Sequence, residues 1–384
     1  MRFSASFEEL SKALGYLNSI LSDKAVDEKL KNVVFLVGDG KVEVAAYNPL
    51  TFCRVELFKA EVEEGLDEWR FQLKYSDISK VFGSFSSLYK TKVDGVDFEL
   101  SGVRIKLTIH ERCIHEEDSK LDKDVVFELE SPPILSNIEK EITTEFPDNQ
   151  NMLVTGDLLV YLNSLSAVTQ NDSSNSMSSR INFAEDYVFC LSPLMSAFFK
   201  NKLPSEFKNI SLGYSSVSFL KKMCESSSEE QGIGVSKNNI YLCAEVDGVK
   251  AFIRHQPVKV KYSMYVEKKS NARGVVIDRM YFKDVLRRMS SIQPDGKLYI
   301  LGADNLEMRN DKYNQEVPLN GIKENTIGVQ FKFSVPVMEK MILGNDQIFS
   351  SDLFMYFVEN ARGYFVYLQD KTDAWFAGTQ VTKV

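Results

Sequence analysis

The chain has 384 residues, 44% hydrophobic and 26% charged, with a formal net charge of −8. That length predicts two or three soluble domains rather than one core, and the acidic balance excludes a protein coated in positive charge for nucleic acid. No apolar run approaches the roughly 18 residues of a membrane span and no leader pattern opens the chain. Five cysteines without a CxxC pair therefore read as reduced thiols of a cytoplasmic protein.

One pattern recurs six times: a strand ends in a polar residue, an amphipathic helix follows, and two or three strands close the unit. The helix entries read FSASFEEL (3–10), FQLKYSDI (71–78), LVTGDLLV (153–160), SLGYSSVSFL (211–220), VVIDRMYFKDV (275–285) and FKFSVPVMEKM (331–341). Starts spaced roughly 55–80 residues apart mark a repeated architecture.

In the first unit Ser6-x-x-Glu9 is a capping-box signature, and Phe7, Leu10, Leu14, Leu17 and Leu21 make a buried helical stripe. Strands 33–37 and 42–46 meet at Gly38-Asp39-Gly40, a strong hairpin signal, and 52–58 adds a further strand. The second unit has a strand at 69–73, a stripe of Tyr75, Ile78, Phe82 and Phe85, and strands at 96–100 and 103–109. Helices at 157–168, 214–224, 278–292 and 335–342 open the other four units, each followed by short strands. The charged stretch 113–124, the proline-bearing 131–151 and the basic 256–273 read as connections. This predicts an α+β protein of three similar two-layer domains, each of two helix-plus-antiparallel-sheet repeats, at 1–127, 128–258 and 259–384.

The face of each helix away from its apolar stripe reports what it meets. Lys12 lies opposite the stripe of the first helix, Lys80 of the second, Lys222 of the fourth and Lys340 of the sixth. On the fifth, Arg279, Lys283 and Arg287 recur four apart, away from Phe282, Val285 and Met289. The third carries no basic residue. A lysine on a solvated helix is ordinary, but cations on five of six helices predict a mildly basic surface able to hold a phosphate backbone without reading sequence.

Catalytic signals are thin. His110-x-x-Cys113-x-His115 has metal-ligand spacing but no second half, and a charged loop explains it better. No GxSxG, P-loop, Rossmann or HExxH pattern occurs. The expectation is no metal, no cofactor and no enzyme. A divergent enzyme on a repeated α+β scaffold is the distant alternative.

On the six repeats, the basic helices, the opening MRFSASFEELSKALGYLNSIL with KNVVFLVGDGKVEVAAYNPLTFCRVEL, and the ending FKFSVPVMEKM to TQVTKV, the chain resembles DNA sliding clamps, above all the bacterial beta clamp. The resemblance implies a DNA-clamp fold in which two copies close head to tail, with helices lining the hole and sheets outside. It also implies a processivity factor that encircles duplex DNA and binds short peptides of the DNA polymerase and clamp loader. Carried over by position, the peptide pocket would involve Cys190, Pro193, Met195, Pro257, Lys261, Tyr262, Gly378, Gln380 and Val384. The ring interface would join Ile105 and Leu107 to Met289 and Ile292. The turns Asn48-Pro49-Leu50 and Ser192-Pro193-Leu194 occupy matching places and have a structural role in this reading. A different tail and a poorly matching middle suit a bacteriophage version, and a monomeric processivity factor of the same fold is the runner-up.

Overall fold

The structure, a computed structural model, describes residues 1–21, 31–63, 68–85, 91–101, 103–114, 122–148, 150–153, 155–166, 168–169, 180–192, 195–227, 232–262, 273–292, 297–301, 304–310, 312–322, 329–342, 351–360, 363–370 and 375–383. Six units follow one another, each a strand, a helix and three strands. The first is β1 (Arg2–Ala5), α1 (Phe7–Leu17), β2 (Asn32–Gly38), β3 (Lys41–Asn48) and β4 (Thr51–Glu56), with a short β5 (Glu61–Val62) appended. The second is β6 (Trp69–Lys74), α2 (Tyr75–Gly83), β7 (Thr91–Ser101), β8 (Arg104–Cys113) and β9 (Lys123–Glu130), followed by α3 (Ser136–Ile142). The third is β10 (Asn151–Leu153), α4 (Thr155–Ser166), β11 (Arg180–Phe183), β12 (Tyr187–Leu191) and β13 (Met195–Lys200). The fourth is β14 (Ile210–Gly213), α5 (Tyr214–Ser226), β15 (Ile233–Lys237), β16 (Tyr241–Val246) and β17 (Val249–Arg254). The fifth is β18 (Arg273–Asp278), α6 (Arg279–Ile292), β19 (Lys297–Leu301), β20 (Asn305–Arg309) and β21 (Asn314–Ile322). The sixth is β22 (Gln330–Phe333), α7 (Val335–Ile342), β23 (Asp352–Asn360), β24 (Gly363–Asp370) and β25 (Trp375–Lys383). α3 stands within the stretch 131–151 that was read as a connection, and β9 and β21 are strands that the sequence reading did not assign.

The repeats pair by exchanging their first strands. β1 lies against β7 and β6 against β2; β10 lies against β15 and β14 against β11; β18 lies against β23 and β22 against β19. A lone repeat would leave two of its strand edges open, so each satisfies the backbone of its neighbour.

The chain divides into two compact units, Met1–Val154 with Lys222–Arg254, and Thr155–Lys221 with His255–Val384. In the first, the sheet β5-β1-β7-β8-β9 packs on the sheet β10-β15-β16-β17-β4-β3-β2-β6. The joint is aromatic: Phe3 stacks on Phe98 at 4.6 Å and Phe35 on Phe71 at 4.7 Å, with Phe3 and Phe35 6.3 Å apart. Side chains alternate across a strand, so Val34 and Ala45 face the other way, where α3 covers them with Ile138 and Ile142. α1 and α2 meet through Phe7 stacked on Phe82 at 4.6 Å.

Ser6 caps α1 as predicted, accepting from the Glu9 amide at 3.4 Å. Glu9 does not reach back to complete the box. Its carboxylate accepts from the Phe58 and Lys59 amides at 2.8 and 3.1 Å, fixing the turn between β4 and β5. The Gly38-Asp39-Gly40 hairpin has Asp39 and Gly40 at φ 50° and 72°, the conformation of a tight two-residue turn. Asn48 stitches its own turn, accepting from Leu50 and Thr51 at 2.8 Å each and donating to the Ile20 carbonyl at 2.7 Å.

In the second unit β24 and β25 pair as well, closing eight of the twelve strands on themselves, while β14-β11-β12-β13 extends from β25. Tyr299 fills the centre, 3.4 Å from Phe333 and 4.8 Å from Phe331 between ring centroids.

Truncating Phe3 to alanine removes the ring that contacts four other aromatics, and should cost about 3–5 kcal/mol. Urea unfolding should show a lower midpoint with an unchanged slope.

Candidate nucleic-acid and partner surfaces

The basic residues predicted on the helices separate into two groups. In the first unit Lys12 on α1 and Lys80 on α2 are exposed, and in the second Arg287 on α6 and Lys340 on α7 are exposed. Glu8, Asp77 and Asp284 are exposed on the same helices, so each surface is mixed rather than purely basic.

Arg279 and Lys283 lie elsewhere than expected: they are 4% and 5% exposed, not on an open face. The helical wheel gives the reason, since they lie only about 60° and about 100° from Phe282. α6 packs against β18 and β21 on one side and α7 on another, so the arc it buries extends over both residues. The face left open carries Tyr281, Asp284, Arg287 and Arg288. Arg288, 3.2 Å from Gln315, is the cation the four-residue spacing passed over.

Lys222 is half-buried and occupied. Its ammonium donates to the Gly15 carbonyl near the end of α1 and sits 5.2 Å from the centre of the Tyr16 ring. Burial draws its pKa downward. A cation at a helix C-terminus and over an aromatic face is stabilising, so within the first unit this lysine ties the C-terminal part of α5 to α1.

The residues expected at a ring interface also need correction. Ile105 and Leu107 are 0% exposed, because β8 is an inner strand with β7 and β9 on its two sides and both side chains face the core. The edge of that sheet is β9, where Val126 is 51% exposed and Glu128 and Glu130 are exposed beside it. The alternation of 123–130 was a legible strand signal, hidden by the charged residues before it. Met289 is fully buried on α6, whereas Ile292 is 45% exposed at its end.

Two sheets continue across pairs of repeats in the same manner. In the first unit β4 pairs with β17, and Phe52 stacks on Phe252 at 4.2 Å. An ionic ladder runs over that seam: Arg54 and Lys250 reach Glu43 at 3.6 and 3.8 Å, and Lys250 reaches Glu56 at 3.9 Å. In the second unit β13 pairs with β25, and Phe198 stacks on Phe376 at 4.6 Å. The last strand of four repeats is thus engaged. Those of the other two, β9 and the Asn314–Pro318 part of β21, have a strand on one side only among the described residues.

The expected pocket residues lie around the β13–β25 seam. Gly378, opposite Ser196, is buried under Tyr367, whose ring leaves no room for a Cβ there: one would stand 2.4 Å from the Tyr367 Cε1. Met195 is 6% exposed, and Pro257, Lys261 and Gln380 are exposed. Tyr262, half-buried, packs with Val258 and Val260 onto the cluster of Phe189, Phe198 and Phe376. Cys190 is fully buried, its thiol pushed up to about 12 by desolvation, so it faces the interior rather than an open pocket. Pro193 and Val384 lie outside the described residues.

His110 binds carboxylates, Asp124 through Nδ1 at 2.9 Å and Asp97 through Nε2 at 3.0 Å. Among the described residues no group of three or more His, Cys, Asp or Glu could hold a metal; His115 lies outside them. No helix of the described residues is long and apolar enough to cross a membrane.

No family model and no curated relative matches the chain. Solved structures do match, over all or nearly all of both chains. Caulobacter crescentus pol III beta superposes with a TM-score of 0.78 at 12% identity, covering 100% of each chain. A sliding clamp (DNA polymerase III subunit beta) from Pseudomonas aeruginosa bound to griselimycin gives 0.74 at 11%, again covering 100% of each. The DNA polymerase sliding clamp from Bacillus subtilis gives 0.74 at 12%, covering 100% of this chain and 99% of that one. The chain has the sliding-clamp fold.

Replacing Lys222 by alanine should lower stability by about 1–2 kcal/mol through the lost carbonyl bond and ring contact. Replacing the exposed Lys12 in the same way should change it by less than about 0.5 kcal/mol. Chemical denaturation of the two variants reads the difference.

Proposed function

We propose that this protein is a sliding clamp: two copies close into a ring around duplex DNA and tether a replicative DNA polymerase. The observation that carries the reading is the likeness to solved clamps over the full length of both chains, with all six repeats present. The repeats pair as three domains, 1–127, 128–258 and 259–384, and the helices provide the DNA-facing surface. Lys12, Lys80, Arg287, Arg288 and Lys340 supply its positive charge. Acidic neighbours keep that charge weak, which suits sliding: closure retains the protein on DNA, while tight phosphate contacts would arrest it. Such a protein catalyses no reaction, and its working compartment is the cytoplasm.

Ring closure uses the two last-strand edges, β9 and the Asn314–Pro318 part of β21, that have a strand on one side only among the described residues. β9 of one copy adds to the Asn314–Pro318 edge of β21 in the other, as β4 adds to β17 and β13 to β25 within the chain. Val126 takes the place that Phe52 and Phe198 hold at the internal seams, and Ile292 adds apolar surface. The peptide site lies at the β13–β25 seam, where Met195, Pro257, Lys261, Tyr262, Gly378 and Gln380 gather next to a large aromatic cluster. An apolar anchor of a polymerase or clamp-loader peptide fits such a surface.

Retention on nicked circular DNA, lost on linearising the same DNA, is the expected result. Equal retention on both forms, or none on either with the loader present, would sink the clamp reading. Val126→Glu adds a fourth carboxylate to the β9 edge beside Asp124, Glu128 and Glu130, and should weaken self-association about tenfold or more without unfolding the chain. Sedimentation at micromolar concentration checks it; a wild-type monomer there would favour a monomeric processivity factor of the same fold.

A further inference from the structure

The outer face of the five-stranded sheet, away from Phe98 and Ile109, carries a chain of charges that the clamp reading leaves unused. Ser4 on β1 donates to Asp97 on β7 at 2.6 Å, and Arg2 donates to the same carboxylate. His110 on β8 stands between that carboxylate and Asp124 on β9, with Nε2 3.0 Å from Asp97 and Nδ1 2.9 Å from Asp124. Arg112 on β8 adds a contact of 3.0 Å to Asp124. Asp97 is 8% exposed, so it depends on these donors rather than on water.

An ionised carboxylate only accepts hydrogen bonds, and a neutral imidazole carries one N–H. Two carboxylates on opposite ring nitrogens are both satisfied only by the imidazolium. Loss of one proton turns a nitrogen lone pair toward a carboxylate, and one of the two links becomes repulsive.

We propose that His110 is a protonation-controlled tie that fastens the edge strand β9 to β7 across β8. The tie thereby stiffens the edge at which two copies meet; this second statement rests on the ring reading, while the tie itself does not.

The neighbouring groups set the size of the effect. Arg112, whose Nη2 also stands 3.5 Å from His110 Nδ1 and can donate to the neutral ring, keeps its bond to Asp124, and on the opposite face Lys123 holds Glu111 at 3.2 Å, so β9 loosens rather than detaches. Arg104 to Glu128 and Lys106 to Glu99, at 3.3 and 3.4 Å, add two further ion pairs on the same face. Glu99 and Glu63 act on Arg2. The bond to Asp124, and then that to Asp97, hold the His110 pKa above the ordinary histidine value. Asp124 is lowered by its bonds from His110 and Arg112. At Asp97 burial pulls upward, but the bonds from Ser4, Arg2 and His110 outweigh it and the net is downward. Both carboxylates therefore remain charged throughout the window. The tie is complete below the ordinary histidine pKa and is lost as pH rises through the raised value in the folded chain.

The full chain has three histidines, which makes the imidazole of His110 readily assigned by NMR. It should titrate above the ordinary histidine value, and Asp124→Asn should move it down. Amide protection of β9, corrected for intrinsic exchange, should fall several-fold between about pH 6 and about pH 8, approaching tenfold per unit of pKa elevation. In His110→Gln it should be low at both. Titration of His110 at or below the ordinary value, or equal β9 protection in wild type and His110→Gln at the lower pH, would overturn the tie. Sedimentation at the same two pH values reads the second statement. Self-association that weakens with β9 protection supports it, and self-association independent of pH refutes it. No association at either pH would refute the ring reading, with the exchange result still deciding the tie.

Discussion

A β-strand with an open edge exposes a row of unsatisfied backbone donors and acceptors, and the fold is organised by how that edge is met. Each repeat lends its first strand to its neighbour, β1 to β7 and β6 to β2 being the first exchange. The helix that follows the lent strand must then lie on the same layer as the helix of the other repeat, which is why Phe7 and Phe82 stack. The same demand continues at the last strands. Four of them satisfy one another at β4–β17 and β13–β25, while β9 and the Asn314–Pro318 part of β21 have one neighbour among the described residues. Self-association, in the reading proposed above, is the completion of that series by a second copy.

The two internal seams meet the demand with different chemistry. Both place a phenylalanine stack across the joint, Phe52 on Phe252 and Phe198 on Phe376. The first adds an ionic ladder of Glu43, Arg54, Glu56 and Lys250, half-buried and partly screened, so its worth lies more in fixing register than in net stability. The second adds a further aromatic ring, with Tyr367 lying on Gly378, where a Cβ would collide with it. Its surface is the apolar one, and it is there that a peptide site is proposed.

Electrostatics follows the same economy. The exposed helix cations are few and interrupted by Glu8, Asp77 and Asp284. A surface of that kind gives a phosphate backbone a shallow, salt-sensitive attraction. In the reading proposed above that is enough, because closure of the ring rather than affinity keeps DNA in place.

Local chemistry made much of this legible. The period-3.6 stripes, Ser6 at its cap and the Gly38-Asp39-Gly40 turn identified the six repeats, because each signal acts within a few residues. Lys12, Lys80, Arg287 and Lys340 are exposed, as the helical projection placed them, because they lie beyond the arc that each helix buries. The sequence reading passed over β9, whose alternation was legible, and β21, and so the edge was misplaced onto Ile105 and Leu107. It also left Arg279, Lys283 and Lys222 on open faces, since a helical wheel records one helix and not the second element packed against it. Periodicity determines which side of an element is apolar; only the tertiary structure decides how wide an arc is covered and which edge stays open, because both depend on neighbours distant in the chain.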